Sequence, residues 1–218
     1  IAIHRNSSSS LRKFIKAKFN NNKTQFSFVY LDDDFYSFVD SEIPQFFDLK
    51  KSIKILKQFL SPVENQFNDK KIYVTREGSE YRKIINEADL IPILRSKGYK
   101  VINPQLYEID EQIKIFSKAE KIVSPHGSNL ANIIFCKPNT EIYEIGPKFK
   151  NNYENLFENK YKYLATINNL KYSRIISDTV DVRNHSKSAK KYINNKILKE
   201  SNYYKNLIVR ISDIKSIT

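Results

Sequence analysis

The run Ser124-Pro125-His126-Gly127-Ser128-Asn129-Leu130-Ala131-Asn132 gathers groups able to bind an anion. Gly127 lets a ligand approach the backbone closely. Ser128 can cap a helix starting there. The first turn of that helix offers N–H groups at the positive end of its dipole, an arrangement suited to phosphate. His126 and Asn129 add side-chain donors at the same edge, and Asn132 follows within the helix. Singly, each has an ordinary explanation: a turn glycine, a capping serine, a structural histidine. Their combination at a strand-to-helix junction favours a ligand. Arg76 ends an upstream strand, and its planar guanidinium suits a diphosphate, although most arginines are surface charges. Arg82 and Asn86 follow on the next turns and either line the same crevice or hold Arg76 in place. Glu144, near the end of a later strand, could accept from ribose hydroxyls or pair with a lysine.

These groups meet only if the chain between them folds as strands and helices in alternation. Strands are expected at 71–75, 99–102, 121–124 and 141–145, with helices at 86–97, 110–119 and 128–136. Asn86 is placed to cap the first helix and Gly98 to follow its end, with a kink at the internal Pro92. Ile109, Ile113, Phe116 and Ala119 form the buried stripe of the second. The third is apolar nearly all round and therefore buried. Such alternation builds βαβ units and a parallel sheet, whose ligands bind outside the carboxyl ends of the strands. Arg76, His126 and Glu144 should converge there.

The flanks are less regular. Residues 1–25 read as loop around a basic helix at 11–19, followed by a strand at 26–31 and helical material to about residue 60. Pro62 marks a linker. Beyond Pro147 a strand is expected within 161–172, a basic helical insert at 185–204 and a last strand at 207–211. The expected divisions are 1–66, 67–175 and 176–218.

Composition narrows the class without choosing a function. The 37 Lys and Arg against 24 Asp and Glu give a net charge of +13, which suits phosphorylated or polyanionic partners or an anionic membrane surface. The abundance of Lys, Asn and Ile with only 4 Gly is what AT-rich coding produces, so the charge is discounted as a functional signal. No apolar run approaches the ~20 residues of a membrane span, so the segment reads as soluble. Cys136 is the sole cysteine, which excludes an intrachain disulfide and suits a reducing compartment. The chain starts at Ile1 and contains no Met, so it reads as a fragment or trimmed segment.

The residues Lys71-Ile72-Tyr73-Val74-Thr75-Arg76, Tyr81-Arg82, Asn86-Glu87, Leu94 and Gly98-Tyr99 form the first half of a recognisable pattern. Gln112, Phe116, Ala119, the Pro125-to-Asn132 block, Ile134-Phe135, Pro138 and Glu144 complete it. In this order they resemble glycosyltransferase family 61, whose usual block is similar to His-Gly-Ala-Gly-Leu-Thr-Asn. Here Ser128 and Asn129 replace the common Ala and Gly, and Ala131 replaces Thr.

The resemblance implies a GT-B architecture of two Rossmann-like domains. The region 67–175 would be the Rossmann-like nucleotide-sugar-binding domain, and 1–66 the tail of the acceptor-side domain. It implies an inverting transfer of a hexosyl or pentosyl unit with no essential metal. No tightly bound cofactor is expected, only a nucleotide-sugar donor, with a UDP-sugar favoured. The acceptor would be a glycan or a polysaccharide such as capsule. The implied donor contacts are Arg76, Arg82, Asn86, His126, Gly127, Ser128, Asn129, Asn132 and Glu144. The catalytic base is unassigned, with His126 a candidate. Nucleic acid is not an expected partner, whereas peripheral membrane association is compatible with the charge. A bacterial enzyme would work in the cytoplasm or at the inner membrane and a eukaryotic one in the Golgi or ER lumen, the bacterial type being favoured.

Two other readings compete. Phe28 to Asp34 resembles a strand followed by a DxD pair, in which Asp32 and Asp34 would hold Mn²⁺ in a metal-dependent GT-A enzyme. Against this, only about thirty residues precede the motif; manganese dependence discriminates. The alternative is a non-enzymatic polyanion- or RNA-binding domain, supported by the charge but lacking a motif with interleaved aromatics. A steep salt dependence of RNA binding would mark it.

Overall fold

The computed structural model describes residues 2–4, 13, 16, 29–31, 50, 53–54, 57, 69–79, 81–148, 152–180, 202 and 205–217. Strand β1 (Ala2–His4) pairs in parallel with β2 (Val29–Leu31) in a small sheet of their own. The main sheet contains β3 (Lys71–Val74), β4 (Lys100–Ile102), β5 (Lys121–Pro125), β6 (Glu141–Pro147), β7 (Lys171–Val180) and β8 (Asn206–Ile208), in the order β4-β3-β5-β6-β7-β8. Neighbours are parallel from β4 to β7, and β8 returns antiparallel. The chain leaves β3 first to β4 on one side and then to β5 on the other. The crevice outside the carboxyl ends of β3 and β5 is therefore the switch point of the sheet.

Helices cover both faces. On one, Ile72, Val74, Ile102, Ile122 and Ile142 pack with Phe116 of α2 (Ile109–Lys118), Leu130 and Ile133 of a 3-10 helix (Ser128–Phe135), and Leu164 of α3 (Asn152–Ile167). On the other, Tyr73, Val123, Ile145 and Ile175 pack with Leu90 and Leu94 of α1 (Glu87–Ser96) and Ile214 of α4 (Ile211–Ile217). The near-continuous apolar strands follow from burial on both faces. Helix α1 continues through Pro92 and stops at Gly98, whose φ of +81° accommodates the turn out of the helix. A reciprocal capping box of Glu108 and Glu111 starts α2. Among the described residues no helix is long and apolar enough to cross a membrane.

Several expectations are revised. The segment at 1–25 contains a strand, β1, while Lys13 and Lys16 within the expected basic helix are helical. The segment at 128–136 is a 3-10 helix rather than an α-helix. It buries Leu130, Ile133 and Cys136, and that three-residue spacing is one turn of a 3-10 helix. Residues 161–167 end a helix instead of beginning a strand, because the buried Tyr161, Leu164, Ala165 and Asn168 repeat with helical period. Ile211 opens α4, so the last strand ends at Ile208. Strand β7 runs without a break through residue 175, and Ile53, from the part expected to be separate, joins the same core cluster as Ile72. The Pro62 linker and the Asp32-Asp33-Asp34 run lie outside the described residues, as does the stretch 185–204 apart from Asn202.

Asn86 precedes α1 but makes no side-chain cap. Its Nδ2 donates to the Val209 carbonyl at 2.8 Å, and its Oδ1 accepts from the Val209 N–H at 3.1 Å. The amide thus fastens the chain between β8 and α4 to the start of α1. Asn86→Ala should cost about 1–3 kcal/mol, the range for losing such bonds at a partly buried site. Hydrogen exchange should then show the loss of protection concentrated at residues 205–217; protection equal to wild type there would contradict this role.

Candidate functional site

Residues two apart on a strand share a face, so the register of β3, β5, β6 and β7 lines up side chains in rows. Ile72 lies opposite Ile122, Ile122 opposite Ile142, and Ile142 opposite Tyr172. One step toward the carboxyl ends, Ser124 lies opposite Glu144 and Glu144 opposite Arg174. The next step on the same face brings Arg76 and His126 to the ends of β3 and β5. His126 prolongs the ladder, its N–H donating to the Ile145 carbonyl at 2.7 Å. This face therefore turns from apolar to ionisable along the strand direction.

Arg76 crosses the switch point. Its guanidinium lies directly against Gly127, where an added Cβ would collide with Nη1 and stand 3.0 Å from Cζ. Gly127 is extended, with φ 168°, so its lack of a side chain matters for this approach and not for backbone conformation. Arg76 Nη2 also donates to the Tyr81 carbonyl at 3.3 Å. Arg82 adopts a left-handed φ of 58° and is only 4% exposed, with its guanidinium 4.8 Å from the Tyr81 ring centre. An arginine in that conformation stores strain of the kind found at functional sites.

His126 is 2% exposed and Glu144 has no exposure. His126 Nδ1 hydrogen-bonds Glu144 Oε1, and the Tyr172 hydroxyl donates to Glu144 Oε2 at 2.6 Å. The ring of Tyr161 meets the imidazole edge-on at 5.1 Å. Burial holds the His126 pKa below its ordinary value despite the opposing pull of Glu144, and the charges of Arg82 and Arg174 act in the same direction as burial. A neutral imidazole facing a carboxylate carries its proton on Nδ1.

The remaining candidates divide. Ser128 is exposed and Asn129 half-buried at the mouth of the crevice, in a first helical turn whose N–H groups have no intrahelical acceptors. Ser128 does not cap the helix: Gly127 holds the N-cap position, without a side-chain bond. Asn132 donates to Gln112 Oε1 at 2.9 Å, and Gln112 donates to the carbonyls of Pro104 and Tyr107, so this amide pair braces the 3-10 helix against α2. With the Asn86 amide engaged by Val209 and both Glu144 oxygens engaged by His126 and Tyr172, these three side chains serve protein partners.

Tyr172 and Arg174 were absent from the sequence-derived set. Arg174 lies against Gly146 much as Arg76 lies against Gly127, with Nη2 2.9 Å from where a Cβ would sit, and donates to the Pro147 carbonyl at 2.9 Å. The signal that could have found both is the alternation of Lys171 to Ser177, which a strand at 171–180 would have put in phase with Glu144.

A separate cleft of about 360 Å³ opens at the amino ends of β3, β5 and β6, lined in part by Lys71, Lys121 and Lys137. It is at the opposite end of the strands from Arg76 and His126. Among the described residues no group of three or more His, Cys, Asp or Glu side chains could hold a metal ion.

Because the folded pKa of His126 lies below its unfolded value of 6.5, the unfolded chain binds more protons between the two. The stability linked to His126 is thus fully present above about pH 6.5 and is lost as pH falls through the folded pKa. Urea unfolding at pH 7.5 and pH 5.5 should show a drop for the wild type that His126→Gln reduces. An equal drop in both proteins would contradict the assignment.

The family model described as Glycosyltransferase 61 matches residues 2–143, which takes in both the small β1–β2 sheet and the switch-point crevice. No curated protein matches the chain by sequence. With well over half of its length matched, the chain belongs to glycosyltransferase family 61.

Proposed function

We propose that the crevice between the carboxyl ends of β3 and β5 binds the diphosphate of a nucleotide-sugar, and that the protein transfers its sugar to a hydroxyl of a glycan or polysaccharide. The observation that carries this reading is the Arg76 guanidinium seated across the switch point against Gly127. A planar, permanently charged fork beside the first turn of a helix is chemically matched to a diphosphate. The N–H groups of Ser128 and Asn129 would supply the second set of donors. They belong to the first turn of a 3-10 helix rather than of the α-helix expected from sequence.

In the proposed reaction the acceptor hydroxyl passes its proton to a general base as its oxygen attacks the anomeric carbon, the bond to the diphosphate breaks, and configuration inverts. Negative charge grows on the leaving phosphate, so donors already fixed at that position stabilise the transition state without a metal. His126, enclosed by protein, holds the Gly127 turn in place in this reading, and Arg82 backs Arg76 through their shared contact with Tyr81. A UDP-sugar is the proposed donor, and GT-B the proposed architecture of the longer enzyme.

Calorimetric titration with UDP tests the site. Arg76→Ala should weaken binding by about 1.5–3 kcal/mol, the range for a hydrogen bond to a charged group. Gly127→Ala should also weaken it, because the new methyl displaces the guanidinium. Unchanged affinity in Arg76→Ala with the fold intact would overturn the reading. Binding in EDTA should equal binding in Mn²⁺; a gain that appears only with Mn²⁺ and is lost in Asp32→Asn would move the assignment to the metal-dependent alternative.

A further inference from the structure

We propose that Glu144 and Tyr172 are positioning residues, which hold the His126 imidazole as its Nδ1–H tautomer beneath the Gly127 turn and thereby set the geometry of the diphosphate site. This rests on the reading of that turn as the donor site. The three side chains come from three adjacent strands, β5, β6 and β7, and they connect through Glu144, whose two oxygens face different partners. Oε2 accepts from the Tyr172 hydroxyl, which leaves Oε1 to accept from His126. The Nε2–H tautomer in the same ring position would point a nitrogen lone pair at a carboxylate with no exposure to water, and the two would repel.

The surroundings close off the alternatives. Tyr161 of α3 borders the ring at its edge, so the imidazole has little room to rotate. Arg82 ahead of α1 and Arg174 on β7 place positive charge near it, which disfavours a second proton. The His126 N–H completes the ladder to β6, and the next residue is Gly127. Ring, backbone and turn are thus fixed as one unit, and a change at Tyr172 reaches the phosphate donors without touching the ligand.

The test combines ¹⁵N NMR of the His126 ring with calorimetry against UDP, on the wild type, Glu144→Leu, Glu144→Gln and Tyr172→Phe. Leu fills the buried space without an acceptor; Gln keeps an oxygen for Nδ1–H; Phe removes only the hydroxyl. The wild type should show the Nδ1–H tautomer. Glu144→Leu should lose it and bind UDP about tenfold more weakly, the scale of one hydrogen bond to a charged group. Glu144→Gln should restore both tautomer and affinity, and Tyr172→Phe should weaken binding and show partial loss of the tautomer. A purely structural role would lower the melting temperature and leave the tautomer unchanged. An unchanged tautomer in both Glu144→Leu and Tyr172→Phe overturns the proposal, as does a changed tautomer with wild-type affinity. If Glu144→Leu does not fold, Tyr172→Phe decides alone. Failure of the wild type to bind UDP overturns the diphosphate reading, while the tautomer arm still judges the positioning of the ring.

Discussion

A carboxylate withdrawn from water is costly unless neighbours replace its hydration shell, and Glu144 has no exposure at all. Its partners, His126 and Tyr172, lie on the strands to either side, so satisfying the charge ties β5, β6 and β7 together at their carboxyl ends. The arrangement is all or nothing in character. Removing one partner leaves a buried polar group unsatisfied, which costs more than the bond itself contributes. These bonds brace the polar edge of the sheet at the place where the Gly127 turn and the 3-10 helix follow β5.

The same register explains the arginines. The chain contains four glycines: Gly78 and Gly98 have positive φ, and Gly127 and Gly146 each lie under a guanidinium. Arg76 and Arg174 thus approach backbone that any side chain would hold away. Glu144, in register with Arg174 on the neighbouring strand, places a carboxylate at the same edge of the sheet. In the proposed reading the diphosphate enters beside Arg76, next to this buried brace. Family membership supplies the activity class, glycosyl transfer.

The legible part of the sequence was the segment with strong periodicity. Apolar runs such as Lys71-Ile72-Tyr73-Val74 and Lys121-Ile122-Val123 become strands buried on both faces, and the stripe through Ile113 and Phe116 marks α2. The proximity of Arg76 to the Gly127 turn followed from strand ends alone. What stayed hidden depended on pairing between distant segments. Asn86 looks like a cap until Val209 is seen to take both ends of its amide. For Glu144 the sequence offers ribose hydroxyls or a lysine as partners, and the pairing of strands adds His126 and Tyr172. Tyr172 and Arg174 stayed hidden because the strand expected within 161–172 falls largely on the end of α3, whereas β7, which pairs with β6, begins only at Lys171. Leu130, Ile133 and Cys136 carried a three-residue spacing that is visible in the sequence, but a run apolar on nearly all sides masks it.

The most direct measurement of the central claim is the set of backbone ¹⁵N–¹H and arginine side-chain shifts recorded while the protein is titrated with UDP. The diphosphate account predicts that the largest changes fall on the amides of Gly127, Ser128 and Asn129 and on the Arg76 guanidinium, all at the carboxyl edge. Changes confined to the amino-edge cleft around Lys71, Lys121 and Lys137, with the Gly127 turn and Arg76 unmoved, would contradict it.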